Sequence, residues 1–312
     1  YLFVAGSQEA AIAGEGDMYV YVADEATGAD PGVPEDLSFS KGGEPLQGKF
    51  VKMSQAPIQA KDWRIADKAA EEDYGAFTFT RIEDGAQDPR FGHKQDFYFL
   101  DTGEPEDDLP DDEEQEDGTL GVPGFDSDGN LIPPTATPDR GRLYHMTFLP
   151  EAFEENGSLA AGDEIPAQIE IELDGDEGDN IVSPDNMGIS TKGVLFNEDR
   201  NDQFGLPGKA FPDDEGYGNV VWWPFGSDEA VTVARVDTTS GDPGDWESSG
   251  TVLAPQFGED MWLIDVQAHS LDAPQPGLDP AEDMTGQGGQ LGLLKVPGST
   301  GEADDRLFPG AP

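Results

Sequence analysis

The chain has 312 residues, with 66 Asp and Glu against 17 Lys and Arg, no cysteine and a formal net charge of −49 at pH 7. That field repels nucleic-acid phosphates, whose binding needs cations to displace counterions, and it disfavours anionic membrane surfaces. The absence of cysteine excludes disulfides, thiolate catalysis and Cys-ligated zinc or iron within the chain, and no run of about 18 apolar residues is present to span a bilayer.

Short aromatic or β-branched runs, bounded by Gly, Pro and Asp, predict strands from end to end. In chain order they are residues 1–5, 18–23, 48–53, 77–82, 96–100, 142–149, 167–173, 193–197, 220–224, 231–236, 261–266 and 290–296. The 40 glycines and 25 prolines supply turns between them. Only residues 62–73 (DWRIADKAAEED) have helix-forming content. Residues 101–121 form an acidic insertion that reads as a solvated surface loop, with calcium capture as the alternative. The strand-like start at Tyr1 has no leader before it, so an N-terminal part is expected to be missing. The strands group into a loose repeat, which predicts an all-β fold. The expected form is a single β-propeller domain over residues 1–312, of four-stranded antiparallel blades, incomplete at its N-terminus. A decorated β-sandwich is the alternative.

Self-repulsion at this charge opposes a compact state unless it is screened or neutralised. At 1 M salt the Debye length falls to about 3 Å, and bound divalent cations act locally. Scarce lysine beside ordinary aromatic content points to a high-salt or marine setting, with the protein secreted, periplasmic or at the cell surface.

Hard oxygen donors stand beside Gly or Pro at strand ends in RIEDGAQDP (81–89), NIVSPDNMG (180–188), NEDRND (197–202) and DVQAHS (265–270). Inner-strand ends of a propeller converge on its channel, and calcium takes six to eight such oxygens at about 2.3–2.6 Å. The competing reading is β-turns and Asx-turns in a very acidic protein. DSDGN (126–130) opens like a calcium loop but lacks the later bidentate Glu, which favours a hairpin turn. His93, His145 and His269 form no i,i+4 pair, so a zinc site is not expected. Trp222 and Trp223 are expected to pack between blades.

The order of RIEDGAQDP, GRLYHM, SPDN, VLFNED, SSG, DVQAH and GGQLGLLKVPG resembles the secreted β-propellers of the PhoX-type alkaline phosphatase family and their phytase-like relatives, over about residues 18–298. The resemblance implies an axial metal centre that acts on phosphate esters. By motif it places Glu83 and Asp84 at that centre, Asp185 and Asn186 at the channel, and Glu198 and Asp199 at the end of the next strand. Asp265 and His269 fall in the closing-blade motif, Asp265 as a metal ligand and His269 without an assigned role. Calcium would hold the phosphate oxygens, with Glu83 and Glu198 as catalytic carboxylates and Arg81 as a phosphate clamp. The family's phosphatases use a cysteine toward iron, and this chain has none. The expected function is therefore a calcium-dependent phosphate-ester hydrolase. The alternative is a non-catalytic, calcium-stabilised propeller that serves as an extracellular binding or surface-structure module.

Overall fold

The computed structural model describes residues 3–5, 18–24, 41–53, 70, 73–77, 79, 81–103, 140–153, 164–199, 218–236, 246–268, 288–301 and 304. The described chain is all-β, with antiparallel sheets and almost no helix. Its strands are β1 (Phe3–Ala5), β2 (Met18–Ala23), β3 (Leu46–Lys52), β4 (Ile82–Gln87), β5 (Asp96–Asp101), β6 (Arg142–Phe148) and β7 (Glu164–Asp174), followed by β8 (Pro184–Ile189), β9 (Gly193–Glu198), β10 (Asn219–Pro224), β11 (Val231–Arg235), β12 (Trp246–Leu253), β13 (Met261–Ala268) and β14 (Gly288–Lys295). They fall into two compact units: residues 1–82, 95–139 and 143–172, and residues 83–94, 140–142 and 173–312.

The first unit is built on a seven-stranded sheet in the order β1-β2-β3-β7-β6-β5-β4, and β4 leaves the unit after Ile82. β7 shows why the sequence forms it. In EIPAQIEIELD, Ile165, Ala167, Ile169 and Ile171 turn inward while Glu164, Gln168, Glu170 and Glu172 turn outward, the period-2 alternation of a sheet with one buried face. The core beneath is aromatic. Phe79 meets Phe99 at 5.4 Å and Tyr144 at 5.3 Å, both edge to face. Tyr21 meets Phe50 at 5.5 Å and donates its hydroxyl to the Leu46 carbonyl at 2.7 Å. Gly48 has no room for a Cβ, which would stand 2.7 Å from the Tyr21 ring. The strand expected at 77–82 begins only at Ile82. Phe77 and Phe79 instead plug the core, with the Phe77 N–H bonded to the Tyr21 carbonyl at 2.8 Å. Their alternating aromatics signalled burial, not a ladder.

The second unit carries a four-stranded meander, β11-β10-β9-β8, and a three-stranded one, β12-β13-β14. Every residue of β9 is buried and so is all of β10 up to Trp223, which accounts for their unbroken apolar runs. Leu195, Val220, Trp222, Leu253, Trp262 and Val296 form the core. Asp260, at φ 64, ties this unit's last strands together by accepting the N–H groups of Gly298 (2.8 Å) and Thr300 (2.9 Å) and the Thr300 hydroxyl (2.9 Å). The strand count expected of a blade is met by the four-stranded meander, while the other sheets have seven and three strands. β8 and β12 are strands the sequence did not suggest. In 62–73, Asp73 is helical, as is Ala70. Most of the 101–121 insertion and all of 126–130 lie outside the described residues.

Candidate cation site

β4 brings RIEDGAQDP toward the site, and strand alternation sorts its acidic pair. Glu83 points out and is exposed; Asp84 points in and is half-buried. One Asp84 oxygen accepts the Gly85 N–H at 2.7 Å, and the other accepts the Met187 N–H, 103 residues away, at 3.0 Å. The second of these charge-assisted bonds fastens the start of β4 to β8, and the first holds the carboxylate against its own strand. The far end of the motif is structural. Buried Asp88 takes the Arg90 Nε at 3.0 and 2.9 Å and its backbone N–H at 2.8 Å, and the Arg90 guanidinium lies 3.8 Å over the Phe225 ring.

Pro184 pairs with Glu198 and Met187 with Phe196, so Asp185 and Asn186 together stand opposite Asn197 alone. Two residues against one make a β-bulge, which swings side chains out of the normal alternation. The Asn186 amide nitrogen approaches the Asp185 carboxylate and, at 3.4 Å, the Ser249 hydroxyl. Asn197 is fully buried; its amide nitrogen donates to the Ser249 carbonyl at 3.0 Å, and its side-chain oxygen has no hydrogen-bond partner. β12 carries a second irregularity, between Ser249 and Thr251. Gly250 sits there at φ 35, and the Asp265 carboxylate, from the residue paired with Ser249, occupies the space above it. Only glycine combines that backbone angle with that close approach. The buried Thr251 hydroxyl is also without a partner.

The two bulges therefore gather Asp185, Asn186, Asn197, Ser249 and Asp265, with Asp84 pinning the residue that follows Asn186. Glu198 belongs elsewhere. It neighbours Asn197 on a strand, so its side chain leaves on the opposite face. There it is 1% exposed, with one oxygen accepting the Val182 N–H at 2.9 Å and the other the Asn219 amide at 2.7 Å. Arg235 continues this network, donating to the Asn219 oxygen at 3.0 Å. Asp199 is half-buried and its backbone N–H bonds to the Ser183 carbonyl at 2.8 Å. Arg81 is exposed, in the first unit, and its backbone N–H bonds to Asp101 at 2.9 Å. His269 lies outside the described residues.

Asn197 and Ser249 were not singled out as ligands from the sequence. The available signal was that NED and SSG, like PDN, interrupt otherwise regular strand spacing. In the first unit, His145, Glu170 and Glu172 form a further group that could hold a metal ion. No family model, no curated protein and no solved structure matches this chain.

Proposed function

We propose that the protein is a secreted or cell-surface module for high-salt surroundings that binds calcium at the paired bulges of its second unit and works by binding, not by catalysis. The observation that carries this reading is the side-chain oxygen of Asn197, buried and without a partner. Such a group costs about 1–3 kcal/mol when left unsatisfied, and a cation repays that cost. The other groups at the bulges are carboxylates, an amide and a hydroxyl, the oxygen set that calcium accepts in irregular geometry. No nitrogen or sulfur donor among them favours zinc or iron.

The phosphate-ester hydrolase reading asks Glu198 to exchange protons with a substrate, yet both its oxygens are engaged by buried donors. That enclosure favours the binding module over the PhoX-like enzyme. For architecture, the β8–β11 meander supports the propeller expectation, and the seven-stranded sheet weighs against it for the first unit.

The test is calorimetric titration of calcium into chelator-stripped protein in 1 M NaCl, where screening removes diffuse binding to the acidic surface. The wild type should show a discrete site, weakened at least tenfold in Asn197→Ala and in Asp265→Asn, with no release of phosphate from a phosphomonoester. Saturation at about 100 times Kd should add about 2.7 kcal/mol of stability. Titrations identical in all three proteins refute the site, and phosphatase activity that disappears in Glu198→Gln restores the hydrolase.

A further inference from the structure

We propose that His145, Glu170 and Glu172 form a second metal site, in the first unit and distinct from the calcium site, that takes a first-row transition ion with zinc as the best fit. The three residues come from neighbouring strands. His145 lies on β6; Glu170 and Glu172 lie two apart on β7 and so share its outward face. His145 Nδ1 stands 3.3 Å from Glu172 Oε1 and 3.6 Å from Glu170 Oε2, and the three ligand atoms lie within 4.8 Å of one another. Zinc bonds nitrogen and carboxylate oxygen at about 2.0–2.2 Å, so ligands at adjacent corners of its tetrahedron stand about 3.4 Å apart. The two measured separations bracket that edge length.

The other side of the imidazole is supported as metal-bound histidines are. Nε2 lies 3.5 Å from Asp96 Oδ1 and 3.4 Å from the Thr147 hydroxyl, which itself donates to Asp96 at 2.9 Å. A carboxylate behind the ring holds a proton on Nε2 and leaves Nδ1 to the metal. The Tyr98 ring stacks on the imidazole at 4.6 Å and 11°, which fixes its plane. One nitrogen with two carboxylates suits zinc better than calcium, which wants six or more oxygens. Three protein ligands leave a fourth corner for water.

Burial, the largest single influence on His145, lowers its pKa, but the Glu172 hydrogen bond and the charges of Glu172, Asp96 and Glu170 outweigh it and raise the pKa above the ordinary histidine value. Zinc and a proton would compete for Nδ1.

Cobalt(II) is the probe, because a nitrogen–oxygen tetrahedral site gives it intense visible absorption. It is added to full-length protein in 1 M NaCl with calcium saturating, and zinc is then titrated in to displace it. We expect one equivalent of coloured cobalt, lost in His145→Gln and Glu172→Gln, weakened about 10–100-fold in Asp96→Asn and unchanged in Asp265→Asn. This last arm separates the outcome from that of the calcium site. If a His145 variant fails to fold, the histidine ring resonances of the wild type replace it: zinc should move one of them and abolish its titration with pH. Colourless cobalt, colour that persists in folded His145→Gln, or histidine resonances indifferent to zinc would each overturn the proposal and leave His145 as a hydrogen-bonding neighbour of the carboxylates.

Discussion

Both oxygens of Glu198 are spoken for, one by the Val182 N–H and one by the Asn219 amide, in a site closed to water. Replacing it with alanine strands two buried donors at about 1–3 kcal/mol each. Urea unfolding of Glu198→Ala in 1 M NaCl should therefore show a loss on the order of 3 kcal/mol. Glu198→Gln keeps one acceptor and should lose clearly less. A Glu198→Ala protein as stable as the wild type would show that the network contributes nothing. The residue scale also marks what the sequence could not say. Acidic pairs were visible in RIEDGAQDP and NEDRND, but adjacent residues on a strand face opposite ways. Of Glu83 and Asp84 it is Asp84 that turns inward; of Asn197 and Glu198 it is Asn197 that faces the bulges. One residue of register decides this, and composition carries no information about it.

Strands with compact aromatic or β-branched runs were readable with their ends nearly in place, as at β2, β5 and β10, because burial of one or both faces favours such residues. β8 and β12 were not. Their sequences, PDNMGI and WESSGTVL, hold Pro, Asp, Asn, Gly and Ser, which depress strand propensity. Those same residues permit bulges, so the two strands hardest to see carry the site. Gly250 tests the point. A methyl group there meets the Asp265 carboxylate at a backbone angle of φ 35 that other residues resist. Gly250→Ala should lower stability by about 1–3 kcal/mol and weaken calcium binding at the same time. Calorimetry and thermal melts measure both. Unchanged calcium affinity would mean that the β12 bulge does not shape the site.

At the scale of the whole molecule the charge of −49 acts on everything at once. The Debye length shrinks from about 10 Å at 0.1 M to about 3 Å at 1 M salt, so salt relieves diffuse repulsion but cannot replace an ion held by aimed ligands. The melting temperature should climb with NaCl and then level off, and the gap between calcium-loaded and chelator-treated protein should persist at the plateau. A melting temperature indifferent to salt would refute the self-repulsion argument. A gap that closes at high salt would reduce calcium to one more screening ion. The charge and the absence of any thiol were legible from composition, and the all-β class from the recurring strand-like runs. The division into two units was not, because the outward face of β7 and the aromatic plug of Phe77 and Phe79 acquire meaning only through partners distant in the chain.

The tryptophans of the second unit give it an optical signature. Trp222, Trp223 and Trp262 are all buried, and Gly188, immediately after the residue whose N–H holds Asp84, is pressed against the Trp262 ring. Emission from these indoles is therefore tuned by the packing that also shapes the bulges. In a Trp63→Phe protein, which keeps only the second unit's tryptophans, a red shift on chelation would report water reaching the cation-binding unit, while far-ultraviolet circular dichroism, dominated by strands, would follow the molecule as a whole. Comparing the two signals along one unfolding curve sets the second unit against the whole molecule without a label being introduced.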